Sequence, residues 1–396
     1  MQDILDSINR YAVSIGGGPT YSSKPTPLFA SQQFLGSLML RNSINSFCLR
    51  SVAEFMDSDE VLAVVSRDAV QTIQCYGYTF QTSNSILNPC PGELSGITAA
   101  GSHVLVCSSN GINRITRSLE TNKDPVFCGY VQNILCITAT PDGAYCATGG
   151  GNATVTVWSA TMQEMHHLTG HTDWVHFVKF SKPADVLYLF STGDDGVICQ
   201  WDPVEGVQLS RLDYTRGQSI QVFEVSFRTN LIAISNGSML VLYNYLSGHH
   251  TKQMGDDVLR LLQLSLLSGV HQSPPTSARF SENAEWLASA AEDETLAVCT
   301  VREPRQVFTC TAFVTRRHCM PFMNTFSSIA VLACPPTSSV VVIAACASDG
   351  SVIQWVVDPR DRRSAYTKRI QLHLGALLSM DLIKGTKSGE GQQLCS

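Results

Sequence analysis

The sequence predicts an all-β fold assembled from a repeated unit, and two observations support this prediction. Short apolar runs of strand length, such as those beginning at Val61 and Val175, alternate with turn residues from about residue 36 onward, with hardly any sustained helical periodicity. The aromatic residues Trp158, Trp201 and Tyr243 close three successive units at intervals of 43 and 42 residues. A repeat of about 40 to 45 residues is typical of a radial array of small sheets, so we expect such an array rather than two sandwiches.

Later units continue the repeat at wider intervals. Cys299 and Trp355 occupy the position that the aromatic residue holds in the first three units. Their wider spacing predicts insertions near residues 253–270 and 311–326.

The repeat count sets the expected domain organisation. Two weaker units cover roughly residues 46–86 and 90–128. Residues 36–384 are therefore predicted to form a single seven-bladed β-propeller with four-stranded antiparallel blades. Residues 1–35 contain glycine and proline clusters typical of a flexible N-terminal tail, and the polar residues 385–396 are expected to be a disordered C-terminal tail.

Composition excludes several classes of protein. Hydrophobic residues make up 44% of the 396 residues and charged residues 15%, which is typical of a globular protein. The net charge of −6 gives no general electrostatic reason to bind nucleic acid or an anionic membrane. The N-terminus does not read as a secretory signal, and no apolar run is long enough for membrane insertion, so we expect an intracellular protein of the cytoplasm or nucleus.

The 14 cysteines are scattered singly, without a C-x-x-C pair. Many fall inside strand-like apolar runs, where a reduced cysteine acts as a small hydrophobic side chain. We therefore expect reduced thiols, and neither a metal site nor a cofactor.

The sharpest unit has Gly-His at 170–171, Asp-Gly at 195–196 and Trp-Asp at 201–202. These three dipeptides, at these offsets, resemble a WD repeat closely. The resemblance to the WD-repeat (WD40) β-propeller family implies a rigid protein-binding platform.

The same resemblance assigns a structural role to four residues of this unit. It implies that His171, Ser191, Asp195 and Trp201 form a buried hydrogen-bonded tetrad that staples one blade. The chemistry suits the residue types, because the carboxylate accepts from the imidazole, the imidazole is oriented onto the serine hydroxyl, and the indole N–H is a further donor.

A second unit repeats these offsets in degenerate form. His271, Ser289 and Asp293 match the first three members of the tetrad, and Cys299 replaces the tryptophan. We expect a second, weaker tetrad here.

Closure of the ring is ambiguous in the sequence. The resemblance implies that an N-terminal strand pairs with the last blade, and Gly36–Arg41 is the candidate. However, Arg369–Leu374 and Leu377–Ile383 also have the pattern of strands, which leaves one strand surplus.

Trp174 is the leading candidate for partner binding, because it follows the Gly-His turn by three residues, at the rim where propellers bind. Asn133, Gln221 and Pro274 fall at the matching positions of neighbouring units. Exposed aromatic residues dominate interface energetics, although Trp174 packed between blades is an equal alternative.

Three segments outside the repeat pattern allow other interpretations. The leucine-rich residues 256–267 suit a helix that docks a partner, an outer strand, or a helix folded back on the platform. Basic loops at 315–318 and 360–369 suit either solvated loops or, as the alternative function, direct binding of nucleic acid or anionic lipid.

Catalysis is not expected. Ser191, His171 and Asp195 are the residue types of a hydrolase triad, but they lack a G-x-S-x-G elbow and a predicted oxyanion hole. No phosphate loop or zinc-protease motif is present either. The sequence therefore predicts a non-catalytic scaffold or adaptor subunit whose partners are other proteins, with no small-molecule substrate and no expected nucleic-acid partner.

Overall fold

A computed structural model of the chain describes most of the predicted repeat region. The chain divides into Met1–Leu35 and Gly36–Ser396, and all described residues lie in the second unit. In the described residues, no helix is long and apolar enough to cross a membrane. The described ranges are 61–66, 69–76, 79–87, 92–101, 103–116, 133–246, 259–267, 270–293, 295–302, 307–311, 326–333, 341–347, 350–358, 363–372 and 377–383.

The secondary structure in these ranges consists of strands, apart from one 3-10 turn at Pro183–Asp185. Sheet 1 contains β1 (Val61–Ser66), β2 (Ala69–Tyr76), β3 (Thr79–Leu87) and β27 (Leu377–Ile383). Sheet 2 contains β4 (Leu94–Ala100), β5 (His103–Ser108) and β6 (Gly111–Thr116). Sheet 3 contains β7 (Ile134–Ala139), β8 (Tyr145–Gly150), β9 (Thr154–Ser159) and β10 (Glu164–Thr169). Sheet 4 contains β11 (Val175–Ser181), β12 (Tyr188–Gly193), β13 (Val197–Asp202) and β14 (Val207–Asp213).

The remaining three sheets follow the same order. Sheet 5 contains β15 (Phe223–Val225), β16 (Leu231–Asn236), β17 (Met239–Leu246) and β18 (Arg260–Leu267). Sheet 6 contains β19 (Pro275–Phe280), β20 (Trp286–Ala291), β21 (Thr295–Thr300) and β22 (Val307–Thr311). Sheet 7 contains β23 (Phe326–Ala333), β24 (Val341–Ala347), β25 (Ser351–Asp358) and β26 (Arg363–Gln371). The all-β prediction is therefore confirmed, and each sheet is antiparallel, with four strands in six sheets and three described strands in sheet 2.

Neighbouring sheets bury each other's faces. One continuous apolar cluster joins sheets 6 and 7 and includes Trp286, Val298, Ile343 and Trp355. Strands β24 and β25 are buried along their whole length because both of their faces are covered. This explains why β24 is an unbroken apolar run in the sequence and why apolar residues occupy both faces of β25 instead of alternating positions.

The first strand of sheets 2 to 7, together with β27 of sheet 1, forms an inner layer. Along this layer β27 contacts β4, β4 contacts β7, β7 contacts β11, and β11 contacts β15. The succession continues from β15 to β19, from β19 to β23, and from β23 back to β27. In every inner strand except β15, the pairing with the neighbouring strand shifts in register next to the first paired residue. In β11, for example, this shift lies between Val175 and Phe177.

The position of strand β27 accounts for the strand that was surplus in the sequence prediction. Leu377–Ile383 does not extend the last sheet but pairs antiparallel with β1, so that Met380 lies opposite Val64. Arg363–Gln371 fills the fourth place of sheet 7. The candidate closing strand Gly36–Arg41 and both predicted tails lie outside the described residues.

The described part of the leucine-rich segment forms an outer strand, which is one of the three alternatives that the sequence left open, and neither of the two helical alternatives is found there. Leu259 and strand β18 lie at the outer edge of sheet 5, where β18 pairs with β17. Residues 256–258 lie outside the described ranges. Tertiary pairing overrides a leucine content that suits a helix equally well.

Prediction for the inner register. Substituting Gly193 with alanine is expected to destabilise the protein by about 1–3 kcal/mol, because the added Cβ would overlap the carbonyl oxygen of Trp174 and the backbone of Val175. Gly150 is the matched control, since it holds the same place opposite the first residue of β7. There the nearest atom is Oδ1 of the movable Asn152 side chain, at 2.6 Å. Urea unfolding of the two variants tests this, and an equal loss of stability in both would contradict it.

Candidate interaction face, tetrads and axial charges

Sheet 4 brings together the four residues of the first predicted tetrad. His171 Nδ1 lies 2.9 Å from Asp195 Oδ2, and His171 Nε2 lies 2.7 Å from Ser191 Oγ. Trp201 Nε1 donates to the same serine oxygen at 2.8 Å. The Ser191 hydroxyl on β12 thus binds both the loop before β11, through His171, and strand β13, through Trp201. His171 also connects this loop to the turn between β12 and β13, through Asp195.

The Asp195 carboxylate has further donors. Its Oδ2 accepts from Thr172 N at 3.1 Å, and its Oδ1 accepts from Val197 N at 3.0 Å. Burial acts to raise the pKa of Asp195, but the hydrogen bond and positive potential of His171, together with these backbone donors, hold it below the usual value. The carboxylate is therefore ionised at neutral pH and fixes the imidazole.

The tetrad geometry does not suit hydrolysis. Ser191 is fully buried, and its oxygen already accepts the indole N–H of Trp201. A substrate carbonyl has no route to this oxygen, so the Ser-His-Asp set acts within the packing of the sheet.

The second tetrad differs from the sequence prediction in one contact. His271 Nε2 lies 2.7 Å from Ser289 Oγ, but His271 Nδ1 lies 2.6 Å from Thr295 Oγ1 and not beside Asp293. Thr295 donates its hydroxyl proton to Asp293, which also accepts from Gln272 N. Burial lowers the pKa of His271, so the ring is neutral at neutral pH. Matching the second unit to the first did not identify Thr295, because in the first unit the histidine contacts the aspartate directly, with no hydroxyl group between them.

Sheet 3 keeps a remnant of the same arrangement. Trp158 Nε1 donates to Thr148 Oγ1 at 3.0 Å, in the place of the Trp201–Ser191 bond. Asn152 stands where Asp195 stands in sheet 4, and its Oδ1 accepts from Thr154 Oγ1 at 2.8 Å.

Trp174 lies at the end of the molecule where the inner strands begin. The residue is 48% exposed, and its indole meets His176 edge-on, with ring centroids 6.2 Å apart. About half of the residue is therefore open to solvent. His176 Nε2 in turn lies 3.0 Å from Asp194 Oδ2.

Two of the three residues predicted to match Trp174 do occupy equivalent places. Trp174 O accepts from Asp194 N, Asn133 O from Gly151 N, and Pro274 O from Glu292 N. Asn133 and Pro274 are both exposed. We call the end of the sheets that carries these residues the Trp174 face.

Gln221 departs from this equivalence. Strand β15 lacks the register shift of the other inner strands. The pair of Phe223 and Ile234 in sheet 5 is equivalent to the pair of Val178 and Ser191 in sheet 4. Two residues before the first member of each pair, Gln221 is therefore equivalent to His176 and not to Trp174. It is exposed on the same face, one step nearer the centre of the strand array.

A polar channel of about 280 Å³ runs between the inner strands, and residues from all seven sheets line it. Four charged side chains in this channel form a chain of opposite charges. Lys179 Nζ lies 2.6 Å from Glu224 Oε2, and Arg279 lies 3.6 Å from both Glu224 and Asp381. Asp381 Oδ2 also accepts from Ala99 N at 2.9 Å.

These four charges occupy the same register in their strands. Lys179 lies opposite Phe190, Glu224 opposite Ala233, Arg279 opposite Ala288 and Asp381 opposite Ala63. Burial and the nearby Arg279 lower the pKa of Lys179. Burial acts to lower the pKa of Arg279 as well, but Glu224 and Asp381 raise it overall. The sequence carried a signal for two of them, since Lys179 and Arg279 each precede the phenylalanine that ends the first strand of a matched unit.

The basic loops predicted as a possible binding site for nucleic acid or lipid lie largely outside the described residues. The basic loop 315–318 and residues 360–362 are outside it, and 363–369 belong to β26, whose side chains there are not described. Within the described ranges, no group of three histidine, cysteine or acidic side chains is placed to hold a metal ion.

The cysteines whose side chains the structure describes are thiols, and all of them except Cys136 are buried. Burial raises the pKa of Cys199 and of Cys299 to about 12. At neutral pH these thiols stay protonated and pack as small hydrophobic groups.

Prediction for the tetrads. The His171→Ala variant is expected to lose about 2–4 kcal/mol of unfolding free energy, because the buried Asp195 carboxylate loses its charge-assisted donor. His271→Ala is expected to lose less, about 1–2 kcal/mol, because Thr295 and backbone N–H groups still satisfy Asp293. Urea denaturation measures both, and a larger loss for His271→Ala would refute the assignment of the stronger staple to sheet 4.

Prediction for the channel. Asp381→Asn keeps the size of the side chain but removes its charge, and is expected to cost about 1–3 kcal/mol because Arg279 then has one carboxylate partner. Glu282→Gln in the exposed Arg228–Glu282 pair is the control, with an expected cost below about 1 kcal/mol. If thermal unfolding shows equal losses for the two variants, the channel charges contribute no more than a surface pair.

A family model for the WD domain, G-beta repeat (WD40), matches residues 123–159 and 162–202. The second of these ranges contains the whole His171 tetrad.

Two curated relatives extend the likeness. The "Periodic tryptophan protein 2 homolog" of Dictyostelium discoideum is 27% identical over 180 residues, which are 45% of this chain and 18% of that protein. "WD repeat-containing protein 75" of Mus musculus is 26% identical over 249 residues, which are 61% of this chain and 28% of that protein. The matches therefore span less than a third of either relative.

Solved structures show the same fold. The "Crystal structure of RRP9 WD40 repeats" superposes with a TM-score of 0.59 at 16% identity, and the match covers 81% of this chain and 88% of that one. The "Structure of U3-55K" gives a TM-score of 0.57 at 17% identity over 74% of this chain and 85% of that one. The chain thus contains WD repeats at the matched residues, and its sequence relatives and its propeller-like fold are those of WD-repeat proteins.

Proposed function

We propose that this chain is a non-catalytic protein-protein interaction platform, a scaffold or adaptor subunit that binds other proteins through the Trp174 face. The observation that carries the proposal is the exposure of Trp174, a tryptophan that is 48% exposed at the end of a framework of packed sheets. A large aromatic surface left in water on a rigid support is typical of an interface anchor. The WD-repeat relatives support a role of this kind.

The proposal includes one closed seven-bladed propeller, formed within residues 36–384. Three observations support closure: β27 pairs with β1, the inner strands contact one another in cyclic order, and all seven sheets line one channel. In such a ring the inner strands have no open edge, which protects them from pairing with other chains. The C-terminal strand supplies the closing contact.

The proposed platform works without chemistry of its own. The candidate nucleophile Ser191 is buried and already engaged by Trp201. Binding by surface complementarity requires neither a cofactor nor a small-molecule substrate. An intracellular site of action, in the cytoplasm or nucleus, is part of the proposal and matches the reduced state expected of the cysteines.

Prediction for the platform. Tagged protein recovered from its native cells is expected to retain a defined set of proteins at high salt, and Trp174→Ala is expected to lose that set, because an apolar anchor resists salt. The measurement is quantitative mass spectrometry of co-purified proteins. Val186→Ala is the matched control, since Val186 is 39% exposed on the loop at the opposite end of the same sheet.

The outcomes separate the candidate functions. Loss of the same proteins in Val186→Ala would show that retention does not depend on the Trp174 face. Recovery of nucleic acid or lipid alone, and only at low salt, would replace the proposal with the alternative based on the basic loops.

A further inference from the structure

The inner loops of the Trp174 face differ in charge from the rest of the molecule. We define the inner loops as the five residues before each inner strand and the turns between the second and third strands of each sheet. In their described parts they carry six carboxylates and neither lysine nor arginine. The carboxylates belong to Glu93, Asp173, Asp194, Asp195, Glu292 and Asp293.

Two of these carboxylates lie beside Trp174. Asp173 is exposed and precedes Trp174 directly, with its Oδ1 accepting from Trp174 N at 2.8 Å. Asp194 is held against Trp174 by its backbone N–H, which donates to Trp174 O at 3.0 Å. Burial acts to raise the pKa of Asp194, but hydrogen bonds from Ser219 and His176 outweigh it and lower the pKa. Negative charge therefore flanks the exposed indole at neutral pH.

The arginines of this end lie farther out. Arg211 is on β14 and donates to Gly170 O at 2.8 Å. Arg216 is exposed in the turn that follows β14, where its backbone N–H donates to Asp213 Oδ1 at 2.9 Å. Arg211 lies on the outer strand and Arg216 near the start of the connection from β14 to β15, so neither belongs to the inner loops, which keep their negative charge.

We propose that the Trp174 face binds a basic segment of a partner protein, with a lysine or arginine side chain lying over the Trp174 indole beside Asp173 and Asp194. The face of an indole attracts a cation, and carboxylates at its edge add Coulomb attraction to the same group. An acidic or purely apolar partner would leave these carboxylates desolvated without a counter-charge. The inference rests on the proposed function and specifies the chemistry of its partner.

The loop that joins β11 to β12 provides matched controls. Lys182, Asp185 and Val186 are exposed there, at the end of β11 opposite Trp174. Each carries the same kind of side-chain group as a test position: a cation for Arg216, a carboxylate for Asp173 and an apolar surface for Trp174.

The test uses the full chain and labelled peptides of equal length, one rich in lysine and arginine, one rich in glutamate and one neutral. Fluorescence anisotropy at low and physiological ionic strength measures their affinities. The basic peptide is expected to bind most tightly, and more weakly as salt rises. Trp174→Ala is expected to weaken its binding about tenfold, and Asp173→Asn about twofold to fivefold.

Arg216→Asn gives the most discriminating result, because removal of a nearby cation is expected to strengthen binding of the basic peptide about twofold. The controls Val186→Ala, Asp185→Asn and Lys182→Asn are expected to leave the affinity unchanged. Thermal unfolding checks that each variant is folded.

Several results would overturn the inference: no binding of the basic peptide at low salt, preference for the acidic peptide, equal affinity in Trp174→Ala, or weaker binding in Arg216→Asn. These results are distinguishable from failure of the proposed function. If cellular proteins are lost specifically from Trp174→Ala while the basic peptide does not bind, the platform stands and only its partner chemistry is wrong.

Discussion

The packing of each sheet between two neighbours is the constraint on which the other features of this chain depend. A small antiparallel sheet alone is marginally stable, and here every sheet gains a core only from its neighbours. The cluster that joins Trp286 of sheet 6 to Trp355 of sheet 7 shows this directly. Because each face must be covered, the strands in the middle of a sheet are buried on both faces. Exposed polar side chains that could bind a partner are therefore found in the turns and at the ends of the inner strands.

The tetrads show how this packing tolerates loss of individual hydrogen bonds. Sheet 4 has the full set around Ser191, sheet 6 replaces the direct histidine–aspartate contact with a bond through Thr295, and sheet 3 keeps a tryptophan–threonine bond alone. All three sheets still form the same antiparallel ladder. The hydrogen bonds, each worth about 1 kcal/mol, therefore refine an architecture that apolar burial establishes.

Charge is distributed in two distinct ways along the inner strands. Inside the channel, Lys179, Glu224, Arg279 and Asp381 compensate each other, so partly buried charges are paired across strands that are distant in sequence. On the Trp174 face, the carboxylates near Trp174 are not compensated by lysine or arginine in the described inner loops. The first arrangement contributes to stability, and the second leaves a negative potential available for recognition.

The sequence alone determined the fold class and the repeat, and its resemblance to a WD repeat supplied the members of the first tetrad. Period-2 apolar runs and the spacing of Trp158, Trp201 and Tyr243 are local properties of the chain, and burial acts on them directly. The tertiary structure decided what depends on partners remote in sequence. Strand β27 pairs with β1 and not with the last sheet, β18 is an outer strand and not a helix, and a missing register shift in β15 moves Gln221 out of line with Trp174. Apolar runs specify that a strand or helix must be buried, whereas backbone hydrogen bonds to a distant neighbour select which element it becomes and which residues share a face.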